Sequence, residues 1–457
     1  MRIALISARG SDRFYADSIF EDLERELHRE LVFLMEDMEW MPNLGLLTLA
    51  GTINPRHDVV YVDEEYLPRE TMERILHEEP FDLACLSVIN AQHRRSCQVA
   101  RILRDRGIPV AMGGIHPTAL PGEAAEHCDF VFVGEAEETF PRFLKDFEEG
   151  KAERLYAPRR EVDLSALPPP RFDLMRQFDC HLKYNRFPIQ GTRGCPRRCD
   201  FCFLHTLYGG CHRHKRVEQV IREVEMVKEI VEDPFISFTD ENMLLDAAYA
   251  MDLARGMKDM GVLWECYCDI SAAENDELLD LLYQSHCVLL LIGLETLDPG
   301  NLEGENPWKC SQVQRYRRAV EKIQKKGLGV SGLFIVGFEG DGPDVFENIR
   351  DFAMETRLLD VEVSALCPFP GTSLYSRLEG QGRIFCRDWS KYTWIHVNYQ
   401  PMKMTPSQVM DGLFRLFRDL TCLDRLIMQK RYFREAYKRL FGERASPGGK
   451  PTFLSAK

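Results

Sequence analysis

This sequence predicts an α/β protein: a Rossmann-like doubly wound parallel sheet, then a partial (β/α)6 TIM-like barrel, then a mainly helical C-terminal region. Three observations carry that prediction. Short apolar strands alternate with amphipathic helical patterns in two separate blocks, which argues parallel sheets covered by helices. A charged stretch ending in the stiff run Leu167-Pro-Pro-Pro-Arg171 separates the blocks. Beyond Pro370-Gly371-Thr372 the apolar spacing becomes helical.

In the first block, residues 1–145, the expected strands are Ile3–Ile6, Val59–Val62, Leu83–Val88, Pro109–Met112 and Phe130–Val133. A helical pattern over Ser96–Arg106 is closed by Gly107. Ligands of such sheets sit beyond the carboxyl ends of the strands. Here those ends continue into Ser87-Val-Ile-Asn90, Gly113-Gly114-Ile-His116-Pro-Thr118 and Gly134-Glu135-Ala-Glu137. Paired glycines admit a large ligand close to the backbone, or simply make a tight turn. Residues 146–187 read as a linker. Residues 188–370 form the second β/α unit, with strands at Phe235–Phe238, Val288–Ile292, Val330–Val336 and Val361–Leu366. Function in barrels of this kind concentrates at the carboxyl ends of the strands.

Residues 371–457 complete the chain. Val409, Leu413, Leu416, Phe417 and Leu420 recur at helical spacing within 405–441, and the later part is basic, with Arg425, Lys430, Arg431, Arg434, Lys438 and Arg439. A solvated outer face is the favoured reading of that charge; contact with an anionic lipid surface is the alternative. Residues from Arg444 onward read as a tail.

Composition narrows the function classes. A chain of 457 residues is long enough for two or three domains with sizeable cores. A net charge of −14 argues against nucleic acid as the main partner, because phosphate binding needs a clustered positive field. The 15 cysteines are odd in number, and several, such as Cys85, Cys287 and Cys367, lie inside apolar segments. They do not resemble a secreted disulfide framework, so a reducing cytoplasmic setting is expected. The start Met1-Arg-Ile-Ala-Leu-Ile-Ser reads as a strand with too short an apolar run for a signal peptide. No stretch reaches the ~18–20 apolar residues of a membrane span.

The most informative motif is Gly194-Cys195-Pro-Arg-Arg-Cys199-Asp-Phe201-Cys202, a C-x3-C-x2-C run. Three thiolates on one short loop hold three irons of a [4Fe–4S] cube and leave the fourth open for chemistry. Zinc is the rival occupant, with Cys211, His205, His212 or His214 as a fourth ligand.

This run resembles the radical S-adenosylmethionine (SAM) enzymes, in which SAM chelates the open iron and is cleaved to a 5′-deoxyadenosyl radical. The resemblance implies that Cys195, Cys199 and Cys202 hold the cluster, with Phe201 beside SAM. It implies that Asp240 and Glu241, at the end of Phe235-Ile-Ser-Phe-Thr239, meet the SAM amino group, although acids also suit a helix start. Leu289-Leu-Leu-Ile-Gly293-Leu-Glu295 resembles the strand that reaches the SAM ribose, and Gly332-Leu-Phe-Ile-Val-Gly337 the strand that passes the adenine. One departure is Trp264-Glu-Cys266-Tyr-Cys268-Asp269, where many relatives carry a basic residue. Cys266 and Cys268 there read as buried small hydrophobes.

The first block resembles the N-terminal domain of cobalamin-dependent members of that family, including the hopanoid-type methylases. The likeness rests on Trp40-Met-Pro42-Asn-Leu-Gly45, Gly113-Gly-Ile-His116-Pro-Thr118, Val133-Gly134-Glu135, Tyr208-Gly-Gly, Pro368-Phe-Pro370-Gly-Thr-Ser-Leu-Tyr375 and Asp388-Trp389 with Tyr392. It implies cobalamin near Ser87, Gly113, Gly114, His116, Thr118, Gly134 and Glu135. The D-x-H-x-x-G motif that supplies a cobalt-ligating histidine does not occur, so the lower axial position is expected to be open or filled by water. The implied activity is methyl transfer to an unactivated carbon of a small-molecule or lipid substrate, with a donor such as flavodoxin or ferredoxin supplying electrons. A radical SAM cyclisation, rearrangement or coupling is the second reading, and a non-catalytic iron–sulfur or zinc protein the third.

Overall fold

The computed structural model describes residues 1–10, 41–303 and 306–442. Trp40 and the expected tail from Arg444 lie outside the described residues.

The first sheet contains β1 (Arg2–Ser7), β2 (Asp58–Asp63), β3 (Leu83–Ser87), β4 (Val110–Gly113), β5 (Phe130–Phe132) and β6 (Leu155–Tyr156). Its order is β2-β1-β3-β4-β5-β6 and every pairing is parallel. Strands covered on both faces read as apolar runs, and Ile3, Ala4, Leu5 and Ile6 are all fully buried. The order reverses between β1 and β3, which opens a crevice at the carboxyl ends.

The segment 146–187 does more than connect. It supplies β6, whose Tyr156 is buried and stacks on Phe132 with ring centroids 5.4 Å apart. A two-residue strand in a charged stretch carries almost no periodic signal, so tertiary pairing alone makes it a strand. Further on, the Gln177 amide accepts from Tyr61 N–H (2.7 Å) and donates to the Val59 carbonyl (2.9 Å), covering the free edge of β2.

The second sheet runs β14-β13-β12-β11-β10-β7, again all parallel. Its strands are β7 (Phe187–Ile189), β10 (Phe235–Phe238), β11 (Leu263–Cys268), β12 (Cys287–Glu295), β13 (Gly329–Val336) and β14 (Asp360–Ala365). Six parallel strands with unpaired outer edges among the described residues make the expected partial barrel. A small antiparallel pair, β8 (Thr192–Arg193) with β9 (Arg213–His214), brackets the cysteine loop. Cys266 and Cys268 are buried, as expected of packed thiols.

The helix Pro406–Leu420 starts at a capping box of Thr405 and Gln408 with proline in its first turn. Val409, Leu413, Leu416 and Leu420 form its buried face. The last helix, Leu423–Phe441, closes the amino-terminal end of the barrel. Its Tyr432 hydroxyl donates to the Val288 carbonyl (2.6 Å) and accepts from Gly329 N–H (2.7 Å). Lys430, Arg431, Arg434, Lys438 and Arg439 are exposed, while Arg425 is buried. The carboxyl ends of the barrel strands are left facing the first sheet.

Candidate active site

The cysteine loop leaves β8 and runs into the short helix Leu204–Tyr208. Gly194 opens it at φ +95, and a side chain there would overlap the Cys211 carbonyl oxygen. Only glycine accepts that combination of backbone and crowding. Two carboxylates from the end of β10 hold the entry. Asp240, 1% exposed, accepts from Gly191 N–H through both oxygens (3.1 Å each) and from Thr192 N–H; Glu241 accepts from Gly194 N–H (2.9 Å). Burial pushes the Asp240 carboxyl up to about 7 despite those hydrogen bonds. The expected pair thus divides: Asp240 is turned into the loop backbone, and Glu241 stands nearer the cysteines and is less enclosed.

Cys195, Cys199 and Cys202 are half-buried, and burial raises all three thiols, Cys202 to about 12. Thiols so raised become thiolates only when a cationic centre binds them. Three sulfurs on one short loop are the donor set that holds three irons of a cube. Asn306 Nδ2 donates to Cys199 Sγ (3.2 Å), and its Oδ1 caps the helix Pro307–Gln312 by accepting from Lys309 N–H (3.1 Å).

Lys309 is buried in an ion pair with Glu295 and approaches the Gly293 carbonyl (3.4 Å). Burial would lower its pKa, but Glu295 and then Cys199 outweigh that and hold it above the ordinary lysine value. Glu295 sits at φ +62 where the β12–β13 register shifts. Phe201 packs on Phe338, ring centroids 5.8 Å apart, joining the cluster loop to the end of β13. There Asp341 accepts from Gly337 N–H (2.8 Å) and Phe338 N–H (3.0 Å).

The β11 end, which carries no basic residue after Trp264, meets an arginine from the cluster loop. Asp269, at the end of β11, pairs with Arg197 of the cluster loop (3.1 Å) and accepts from Asn242 (2.9 Å). The Arg197 guanidinium lies 3.4 Å from the centroid of Trp308. Asn306, Lys309 and Asp341 carried no motif signal. Arg197 lay inside the cysteine run but only the fold gives it partners.

On the other side of the loop is a cleft of ≈ 370 Å³ between the two sheets: Ser87, Gly113, Gly114, Gly134 and Glu135 come from the first, Gln190 and Thr239 follow strands of the second, and Arg193 comes from β8. Leu44, Ile89, Ile115 and Phe140 make much of its surface apolar. Gly114, at φ +103, would place a Cβ 2.9 Å from the backbone N and O of Val88. A broad cleft with exposed backbone suits a large flat cofactor. No histidine lines it among the described residues.

Two expected cobalamin contacts point elsewhere, and one is shared. Thr118 Oγ1 donates to the Gly114 carbonyl (2.7 Å) and accepts from Gly134 N–H (2.9 Å), so it ties two loops behind the wall. His116 is 0% exposed and absent from the cleft, because the short helix Ile115–Ala119 carries its ring into the protein. Glu135 stays in the wall, but its carboxylate accepts from Arg193 (2.6 Å) and Arg213 (3.0 Å). Arg193 also pairs with Glu137 (2.8 Å), so the residue just before Gly194 is locked to the first domain.

A cysteine-triad loop on a partial barrel, facing a glycine-walled cleft of a doubly wound sheet, defines an iron–sulfur enzyme with a second, large cofactor. Comparison with known proteins agrees. A family model described as the radical SAM superfamily matches residues 189–353, and one described as the B12 binding domain matches residues 39–144. The bacteriochlorophyllide d C-12(1)-methyltransferase of Chlorobaculum tepidum is 28% identical over 383 residues, 82% of each chain. The hopanoid C-2 methylase of Rhodopseudomonas palustris is 26% identical over 365 residues, covering 77% of this chain and 67% of that one. The structure of TsrM, a radical SAM methyltransferase from Kitasatospora setae, with cobalamin and a [4Fe–4S] cluster bound, matches the fold with a TM-score of 0.67 at 14% identity, over 96% of this chain and 99% of that one. The chain thus joins a B12-binding domain to a radical SAM domain, the combination that marks a cobalamin radical SAM family. No helix among the described residues is long and apolar enough to cross a membrane.

Proposed function

We propose that this protein is a cobalamin-dependent radical SAM methyltransferase that acts on an unactivated carbon of an apolar, polycyclic small molecule. The observation that carries the reading is the shared cleft: Gly113 and Gly134 at the ends of one sheet, Thr239 at the end of the other and Arg193 of β8 wall one cavity beside the cysteine loop. When bound, the cluster supplies the electron that cleaves SAM, and cobalamin carries the methyl group to the substrate carbon.

The chain's own residues bind and orient. Cys195, Cys199 and Cys202 hold the cluster, with Asn306 N–H on the Cys199 sulfur. Glu241, which also accepts from Gly194 N–H, meets the SAM amino group, while Asp240 positions the loop. Glu295, steadied by Lys309, offers its second oxygen to ribose hydroxyls. Phe201 and Phe338 form an aromatic wall for the adenine, and Gly337, its N–H held by Asp341, sets the turn beside them. Ser87, Gly113, Gly114, Gly134 and Glu135 line the cobalamin side; His116 and Thr118 act behind it. The substrate class is suggested by relatives named for a bacteriochlorophyllide and a hopanoid, both extended apolar ring systems. A low-potential donor of the flavodoxin or ferredoxin kind is the partner such a cluster requires.

The test is anaerobic turnover with SAM labelled in its methyl group, cobalamin and a reductant, over candidate polycyclic substrates. Labelled product with both deoxyadenosine and S-adenosylhomocysteine is expected. Deoxyadenosine with an unmethylated, rearranged or cyclised product would overturn methyl transfer. That second reading has a specific observation behind it, since an anaerobic magnesium-protoporphyrin IX monomethyl ester cyclase of Rubrivivax gelatinosus is 22% identical over 83% of this chain.

A further inference from the structure

We propose that His93, Cys97 and His127, with a fourth donor from His116 or Glu123, form a second metal site for a zinc-type divalent cation, separate from the cluster loop and the cobalamin cleft. His93 and Cys97 stand one turn apart on one face of the helix His93–Asp105, with Cys97 Sγ 3.5 Å from His93 Nε2. His127 closes the helix Pro121–His127, and its ring centroid is 5.6 Å from that of His93. The donor atoms of His93, Cys97 and His127 all lie within 4.8 Å of one another, and so do those of His93, His116 and Glu123. Among the described residues these are the two such groups of three, and they share His93.

His116 supplies an independent observation. It is 0% exposed, its ring stacks on His93 at 3.9 Å, and neither of its nitrogens has a hydrogen-bond partner. A buried polar group left unpaired is destabilising, and coordination of a cation by one of its nitrogens would relieve that. His116 Nε2 is 3.9 Å from Glu123 Oε2, and His93 Nε2 is 3.4 Å from Glu123 Oε1. The remaining geometry is that of an outer shell. Trp389 Nε1 donates to Glu123 Oε1 (2.7 Å) and thereby orients a candidate ligand. This gives the Asp388-Trp389 segment, which the catalytic reading leaves without a role, a place in the molecule.

The donor chemistry selects the ion. One thiolate, imidazoles and a carboxylate are the mixed sulfur, nitrogen and oxygen set that zinc accepts in four-coordinate sites. With Glu123 as fourth ligand, thiolate and carboxylate together neutralise a dication; with His116 the carboxylate stays 3.9 Å from its Nε2, held by Trp389. Such an ion would clamp the helix His93–Asp105 to the segment 115–127 immediately behind Gly113 and Gly114, and through Glu123 to the C-terminal region.

The test uses untagged holoprotein prepared anaerobically, with iron and zinc counted on one sample. About one zinc per chain beside about four irons is expected. Cys97→Ser and His127→Ala should each lower retained zinc about tenfold or more while iron holds, which also shows that the variants fold. Cys195→Ala should do the reverse, losing iron and keeping zinc, which separates this site from zinc mis-loaded at the cluster cysteines. Zinc-edge X-ray absorption of the unsubstituted protein should show one sulfur at about 2.3 Å with nitrogen or oxygen at ~2.0–2.1 Å. Failure to retain zinc after incubation with one equivalent, equal zinc in variants and parent, or a zinc shell without sulfur would each overturn the proposal. None of these outcomes depends on methyl transfer.

Discussion

Two parallel sheets meet at their carboxyl ends in this molecule, and they treat a cofactor in opposite ways. The first sheet offers glycine-walled, largely apolar backbone at Gly113, Gly114 and Gly134. The barrel sheet ends in charge: Asp240, Glu241, Asp269 and Glu295, most of them committed to hydrogen bonds or ion pairs. A large flat cofactor needs room and shape, so backbone without side chains suffices. A cluster and a small zwitterion need fixed charges, and fixed charges need partners to be buried at all. The same architecture serves both because only the loops beyond the strands differ.

The sharpest break of the comparison is Cys195→Ala. Deoxyadenosine formation should fall to background and iron well below about four per chain, while cobalamin content is unchanged. Paired chromatographic and metal analysis reads both halves; normal deoxyadenosine formation by a correctly loaded variant would refute the cluster assignment. Next is Arg193→Met, which strands Glu137 and leaves Glu135 with Arg213 alone at the join between the sheets. Removing one partner of a buried pair costs about 3–5 kcal/mol, so thermal unfolding should shift sharply downward. A shift no larger than that of an exposed arginine variant would show that the two domains are held elsewhere.

Each sheet also carries a buried carboxyl that responds to pH. Burial raises Asp63 at the end of β2 to about 7, against hydrogen bonds from Tyr184 and Tyr61, and Asp240 at the end of β10 also to about 7. A raised folded pKa means that the folded chain holds the proton more tightly than the unfolded one. Stability of the cluster-free protein should therefore fall as pH rises from about 4 to about 7, by up to ~1.4 kcal/mol per pH unit for each group, and level off above. Asp63→Asn and Asp240→Asn should each flatten part of that slope in denaturant titrations; an unchanged slope in both would contradict it.

Smaller effects sharpen the contrast. Gly114→Val forces a branched residue into a positive-φ, extended backbone that only glycine adopts readily, a strain of about 1–3 kcal/mol before the collision with Val88 is counted. Cobalamin retention should drop about tenfold with iron unchanged, because 1.4 kcal/mol is a factor of ten. On the barrel side, Asn306→Ala removes one N–H from the Cys199 sulfur, which favours the more negative reduced cluster. Its reduction potential should fall by tens of millivolts, a net hydrogen bond of about 1 kcal/mol being worth ~40 mV for one electron. Redox titration followed by electron paramagnetic resonance checks the sign.

The strand–helix alternation and the cluster cysteines were legible because their signal is local. Val409, Leu413 and Leu416 announce a buried face by spacing alone, and three thiols within eight residues announce a cluster. β6 was not legible, since two residues carry no period and only Val131 and Phe132 pair them. The carboxylates were half legible. Asp240 and Glu241 stood at the right strand end, yet which of them faces the loop depends on Gly191 and Thr192 N–H groups 49 and 48 residues away. His116 and Thr118 lay in a glycine motif that does wall the cleft, but a single short helix turned both side chains away from it.

By itself the amino-acid order determined the iron–sulfur cube, which follows from donor type and spacing along a few contiguous residues; SAM and a large cofactor over paired glycines followed from its resemblance to a known family. Tertiary structure decided which residues serve the cofactors and which serve one another. Asn306 reaches Cys199 across 107 positions and Arg193 reaches Glu135 across 58. Long-range pairs form only where the fold removes water and brings opposite groups together, and no local pattern records that.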